Sequence, residues 1–145
     1  MSVMLALGLA LSSLGYKQET LASTAIESQY AFYASDAALE CALYADQRQN
    51  LFDYASHNAG SLPATYLFSC NGVSITSSSY SYNATRLVVT ERFPVGTTRC
   101  ADVTVYKYAT PQPLITYIFS QGYDVPCTSI TPGARFVSRG IGFHY

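Results

Sequence analysis

At 145 residues the chain is long enough for one globular domain and too short for two of ordinary size. Its net charge is -1 and 12% of its residues are charged, about half the usual ~25%, which argues against an electrostatic grip on nucleic acid or anionic lipid. With 13 tyrosines and no tryptophan, the surface must be covered by Ser, Thr, Asn and Tyr, a composition suited to faces that meet other copies of the chain.

From Met1 to Tyr16 no side chain carries a charge. A helix of ~16 residues spans about 24 Å, slightly short of a ~30 Å hydrocarbon core, and Lys17 can snorkel to extend it. A secretory signal peptide would need a basic stretch before its apolar core, and none precedes Val3. A core helix at the start of so small a domain would have little to cover it. The expectation is therefore a membrane segment that later becomes a packing helix. The pairs Ala6/Ala10 and Gly8/Ser12 have the small-xxx-small spacing that lets helix backbones approach closely in an apolar medium. Ser12, Ser13 and Gly15 are weak helix formers and mark a place where such a helix would melt when pulled from lipid.

The helical signal continues past Lys17. No proline occurs before Pro63, and Leu21, Ala25, Ile26, Tyr30, Tyr33, Ala37, Cys41 and Tyr44 recur at three- and four-residue steps. Glu19, Glu27, Asp36, Asp46 and Arg48 fill the positions between. The pattern predicts one helix of roughly 50 residues, ending near Asp53 ahead of the stop signal Ser56-His57-Asn58-Ala59-Gly60. At ~75 Å it outruns anything that about 100 further residues can cover. Residues 1–24 are accordingly expected to form a hydrophobic helix half with partners elsewhere, and residues 25–145 a head.

After Pro63 the texture changes to short β-branched and aromatic runs between turn formers. Strands are expected near Leu67–Ile75, Arg86–Phe93, Thr98–Tyr108, Leu114–Gln121 and Arg135–Tyr145, with a polar loop over Thr76–Thr85. Ala101, Val103 and Val105 alternate with Asp102 and Thr104, as in a half-buried antiparallel strand. The connections are Pro94-Val95-Gly96, Thr110-Pro111-Gln112-Pro113 and Thr131-Pro132-Gly133. The fold class is α+β: one long N-terminal helix on a small antiparallel sheet of about 4–5 strands.

Cys41, Cys70, Cys100 and Cys127 are widely spaced, with no C-x-x-C pair and no histidine beside them. Two disulfides and an oxidising, extracytoplasmic destination follow, with four buried thiols as the alternative. Cys100 opens one expected strand and Cys127 follows the end of the next. This favours Cys100–Cys127 and leaves Cys41–Cys70, although four cysteines allow three patterns. Asn83-Ala84-Thr85 matches the N-glycosylation acceptor, against the plainer reading of an unmodified loop. His57 and His144 join no triad or metal arrangement and read as surface residues. Tyr80, Tyr82, Tyr106 and Tyr108 suit either contact with a surface or sugar, or ordinary sheet packing. No nucleophile, base and acid converge, so no enzyme, cofactor or metal is expected.

The segment AFYASDAALECALY (31–44), the segment IFSQGYDVPC (118–127) and the tail from Arg135 to Tyr145, behind a charge-free N-terminus, resemble the type IV pilins and pseudopilins, minor-pilin types most closely. The resemblance implies a subunit cut from a short basic leader by a prepilin peptidase, leaving Met1 as the processed, methylated N-terminus. Such a subunit waits in the inner membrane until assembly machinery stacks it into an extracellular pilus with copies of itself and other pilins. Met1, Leu5, Ala6, Leu7, Gly8, Ala10, Leu11 and Ser12 would then pack in the filament core. Pilins usually carry a glutamate at position five of the mature chain, where this sequence has Leu5. That departure points to a minor subunit, which primes or tips a filament, or to a register set another way. Attachment, surface motility and DNA uptake are the roles implied. A monomeric membrane-anchored binding module is the alternative from a different class.

Overall fold

The computed structural model describes the chain except for Met1, residues 54–66, Asn71, residues 77–78 and residues 110–114; the side chains of residues 2–7, 9–10, 67–68, 76 and 79–80 are likewise outside the description. Helix α1 spans Ser2–Gln47. It is followed by strands β1 (Leu67–Cys70) and β2 (Val73–Thr76), then β3 (Ser79–Tyr82), β4 (Arg86–Val95), β5 (Arg99–Tyr108), β6 (Ile115–Tyr123) and β7 (Ser138–His144). β1 and β2 form a separate antiparallel hairpin, and β3 to β7 form a five-stranded antiparallel meander in sequence order. The fold is α+β, a single long helix packed on antiparallel strands.

The helix stops six residues short of the expected Asp53. Asn50 adopts a left-handed conformation (φ 49°), donating its N–H to the Asp46 carbonyl at 3.1 Å while the Leu51 N–H reaches the Ala45 carbonyl at 3.1 Å. These bonds close the last turn, as a left-handed residue after a helix commonly does. Phe52 then turns into the core at 1% exposure. The stop signal at 56–60, His57 and the 110–113 connection lie outside the described residues.

Two strand expectations are corrected. Leu67–Ile75 is a hairpin and not one strand, turning at Gly72 with φ 79°, a conformation that favours glycine. Within the expected loop Thr76–Thr85 lies β3, whose Tyr80 and Tyr82 pair with Val89 and Leu87 of β4. Alternate tyrosines keep strand periodicity in a stretch whose serines read as loop.

Side chains facing the helix follow strict parity. Leu87, Val89 and Phe93 of β4, Ala101, Val103 and Val105 of β5, and Ile118 of β6 are buried with Phe52 and Ile75 in one core. The helix lies mainly across β6, flanked by β7 and β5. Its buried face is mostly small, Ala31, Ala34, Ser35, Ala38, Ala42 and Ala45, with Leu39, Cys41 and Asp46 beside them. The residues that set the helical periodicity are not the ones buried: Leu21, Ile26, Tyr30, Tyr33 and Tyr44 are exposed, as are Ala25 and Ala37, and only Cys41 of that set is buried. The reason is proximity. A β-carbon on Gly122 of β6 would stand 2.1 Å from the Ala31 carbonyl oxygen and 2.3 Å from the Ser35 nitrogen. At that crossing only small side chains fit, so volume selects Ala31, Ala34 and Ser35 there, while further along the helix Leu39, Cys41 and Asp46 are also buried. Ser35 also donates its hydroxyl to the Ser120 carbonyl at 2.9 Å.

Disulfides join Cys41 to Cys70 and Cys100 to Cys127. The first ties the helix to the β1–β2 hairpin; the second ties the start of β5 to a 3-10 turn at Cys127–Ser129. Loops of 29 and 27 residues are closed, each worth roughly 3–4 kcal/mol through the unfolded chain's lost entropy.

Candidate functional site

The first feature is the leading half of α1. Residues 11–26 are exposed without exception, and Leu11, Leu14, Tyr16, Leu21 and Ile26 are between 50% and 73% exposed. The sheet first engages the helix near Ser28, whose hydroxyl takes a hydrogen bond from Arg139 Nε at 2.6 Å. Nearby, the Arg99 guanidinium lies 4.1 Å from the centre of the Tyr30 ring. Of the expected packing residues, Gly8, Leu11 and Ser12 are exposed; Met1 and the side chains of Leu5, Ala6, Leu7 and Ala10 lie outside the described residues. An added β-carbon at Gly8 or Gly15 would meet nothing within 4 Å, so the chain's own fold does not require these glycines. Among the described residues, no helix is long and apolar enough to cross a membrane.

The second feature is a buried ionic cluster at the helix end. Lys107 Nζ stands 2.5 Å from Asp46 Oδ1, with side-chain exposures of 11% and 2%. The Tyr145 hydroxyl donates to Asp46 Oδ2. Burial, then the bond to Asp46, raises the Tyr145 pKa above the usual phenol value, keeping it a neutral donor. The cluster clamps the last turn of α1 to β5 and to the residue after β7. Glu91 also points inward, at 1% exposure, and neither of its carboxylate oxygens has a hydrogen-bond partner among the described residues. The sequence reading missed all three charged groups, although parity exposes two. Lys107 continues the inward series Ala101, Val103, Val105, and Glu91 stands between Val89 and Phe93 in the inward series of β4.

The third feature is the sheet face turned away from the helix. At one end Arg92 forks onto Asp102 at 2.6 and 2.8 Å, and Tyr123 donates to the same carboxylate at 2.9 Å. At the other end, aromatic side chains from β5, β6 and β7 crowd together, Tyr106 and Tyr108 among them. His144 is exposed and stacked on Tyr117. Asn83 lies in the exposed β3–β4 turn, where its Oδ1 accepts from Thr85 N, Thr85 Oγ1 and Arg86 N at 2.7–3.0 Å. No group of three or more His, Cys, Asp or Glu side chains placed to hold a metal occurs among the described residues.

Compared with protein-family models, with curated proteins and with solved structures, the chain shows no match.

Proposed function

We propose that the chain is a structural subunit of an extracellular type IV pilus-like filament, polymerising through the leading half of α1. One observation carries the reading: residues 11–26 form a continuous helix whose Leu11, Leu14, Tyr16, Leu21 and Ile26 are exposed and meet no sheet of their own chain. Several apolar side chains left open at about 25 cal/mol per Å² are a strong drive for association, and the occupant that supplies matching surface at every step is another copy. The near-absence of charge before Glu19, with Lys17 alone, removes the repulsion that would oppose parallel stacking. In this reading the subunit waits in the inner membrane through residues 1–24 before assembly, and the disulfides steady a head exposed to an oxidising medium. Leu5 in place of the usual pilin glutamate supports a minor subunit that primes or tips the filament as the second reading.

Gly8→Leu tests the proposal because a β-carbon at Gly8 would meet no described neighbour within 4 Å. The variant is expected to keep its circular dichroism and melting temperature while sheared filament yield collapses, with membrane-resident subunit as the expression control. Normal filament yield from this variant would exclude the helix as the packing surface. Deleting residues 1–24 is expected likewise to abolish filaments and spare the head.

A further inference from the structure

On the outer face of the sheet, register sets Tyr106, Tyr117 and His144 abreast on β5, β6 and β7, and the next row holds Thr104, Phe119 and Gly142. Tyr117 meets Tyr108 edge to face at 5.8 Å and stacks on His144 at 5.4 Å with an interplanar angle of 21°. Tyr117 and Phe119 are 44% and 46% exposed. Gly142 brings no side chain, so an open trough of about 690 Å³ is left among these rings. A β-carbon at Gly140 would stand 2.8 Å from the tip of the Phe119 ring, so this glycine is what lets Phe119 lie over β7 as one wall.

Three properties narrow the occupant. Exposed ring faces call for a ligand with flat apolar patches. The hydroxyls of Tyr106, Tyr108 and Tyr117 make no hydrogen bond to any described residue, so the ligand must offer polar groups at the edges of those patches. Among the described residues none that lines the trough is Asp, Glu, Lys or Arg, which favours an uncharged ligand over a phosphate, a nucleic acid or an acidic peptide. A compact apolar molecule would leave the phenols unpaired, and so open a trough would bury too little of it. A sugar chain meets all three requirements: each pyranose ring presents C–H faces for stacking and hydroxyls around its rim.

We propose that this face binds a neutral oligosaccharide, its rings stacked on Tyr117 and Phe119 and its hydroxyls bonded to Tyr106 and Tyr108. The site lies on the head, apart from the polymerising half of α1, and stands whether or not filaments form.

The test is calorimetric titration of the full chain, held in a detergent without a sugar headgroup, with cellohexaose, chitohexaose and maltohexaose. Saturable binding of at least one is expected. About tenfold weakening is expected in Tyr117→Ala and in Phe119→Ala, a smaller loss in Tyr106→Phe, and no change in Tyr16→Ala. Tyr106→Phe removes one hydroxyl and leaves the ring, so it reads the site even where an alanine variant folds poorly. The proposal is overturned by absence of saturable binding to all three sugars, by tighter binding of an anionic hexasaccharide, or by unchanged affinity in Tyr117→Ala. Self-association that is abolished by Tyr117→Ala would instead assign the face to a second copy and overturn it too.

Discussion

Replacing Glu91 by glutamine should stabilise the fold above pH 7 and leave it nearly unchanged below pH 4.5. The carboxyl lies on the inward face of β4 opposite Val103, and burial raises its pKa from 4.5 to about 7. Lys107, two inward positions further along β5, is engaged by Asp46 and gives Glu91 no counterion. In the unfolded chain the group ionises at its ordinary value; in the fold it holds its proton longer. Its contribution to stability is therefore fully present below pH 4.5 and is lost as pH rises through about 7. At ~1.36 kcal/mol per pH unit the loss is about 3 kcal/mol at most. Only one sheet separates the group from water, and screening trims this to about 2 kcal/mol. Urea denaturation of parent and Glu91→Gln at pH 4, 6 and 8.5 gives the measurement, the difference between them cancelling other titrations. The variant should gain about 2 kcal/mol at pH 8.5 and almost nothing at pH 4. Equal differences at all three pH values would refute the reasoning, as would a less stable variant at pH 8.5.

Gly122→Ala should destabilise by about 1–3 kcal/mol or more, because the atoms it meets are helix backbone and cannot rotate away; a thermal midpoint within a degree or two of the parent would contradict the close approach. Lys107→Met should cost about 3–5 kcal/mol by leaving the Asp46 carboxylate buried without its cation. Adding Asp46→Leu should recover most of that loss, and a double variant as weak as the single would show that packing, not charge, is at stake.

Much of the architecture is legible in the sequence because long periodic segments declare themselves. The uninterrupted helix, the order of the meander and the alternation Ala101, Val103, Val105 against Asp102, Thr104 all follow from local pattern. The face of the helix that would be buried is not legible that way. Periodicity finds the bulkiest apolar stripe, whereas the crossing at Ala31, Ala34 and Ser35 is decided by Gly122, about 90 residues further along the chain, whose close approach leaves room only for small side chains there. β3 is hidden because its alternate serines resemble a loop, and the helix end because Asn50 supplies the left-handed turn usually signalled by glycine. Asp46, Lys107 and Glu91 are hard to foresee for a different reason. A charge on a buried face runs against the general rule for cores, and only strand parity overrides it.

The narrow gap between α1 and β6 divides the helix of the head into two regimes of evolutionary freedom. At Ala31, Ala34 and Ser35 the limit is size: serine, alanine and glycine should be admissible there, leucine should not. At Phe32, Tyr33 and Tyr44, which meet solvent, the isolated subunit sets no ceiling on volume. Any constraint found there must come from outside the subunit. A saturation library scored once for soluble head and once for surface display would therefore draw two complementary stripes along one helix, and the difference map would trace whatever the head touches.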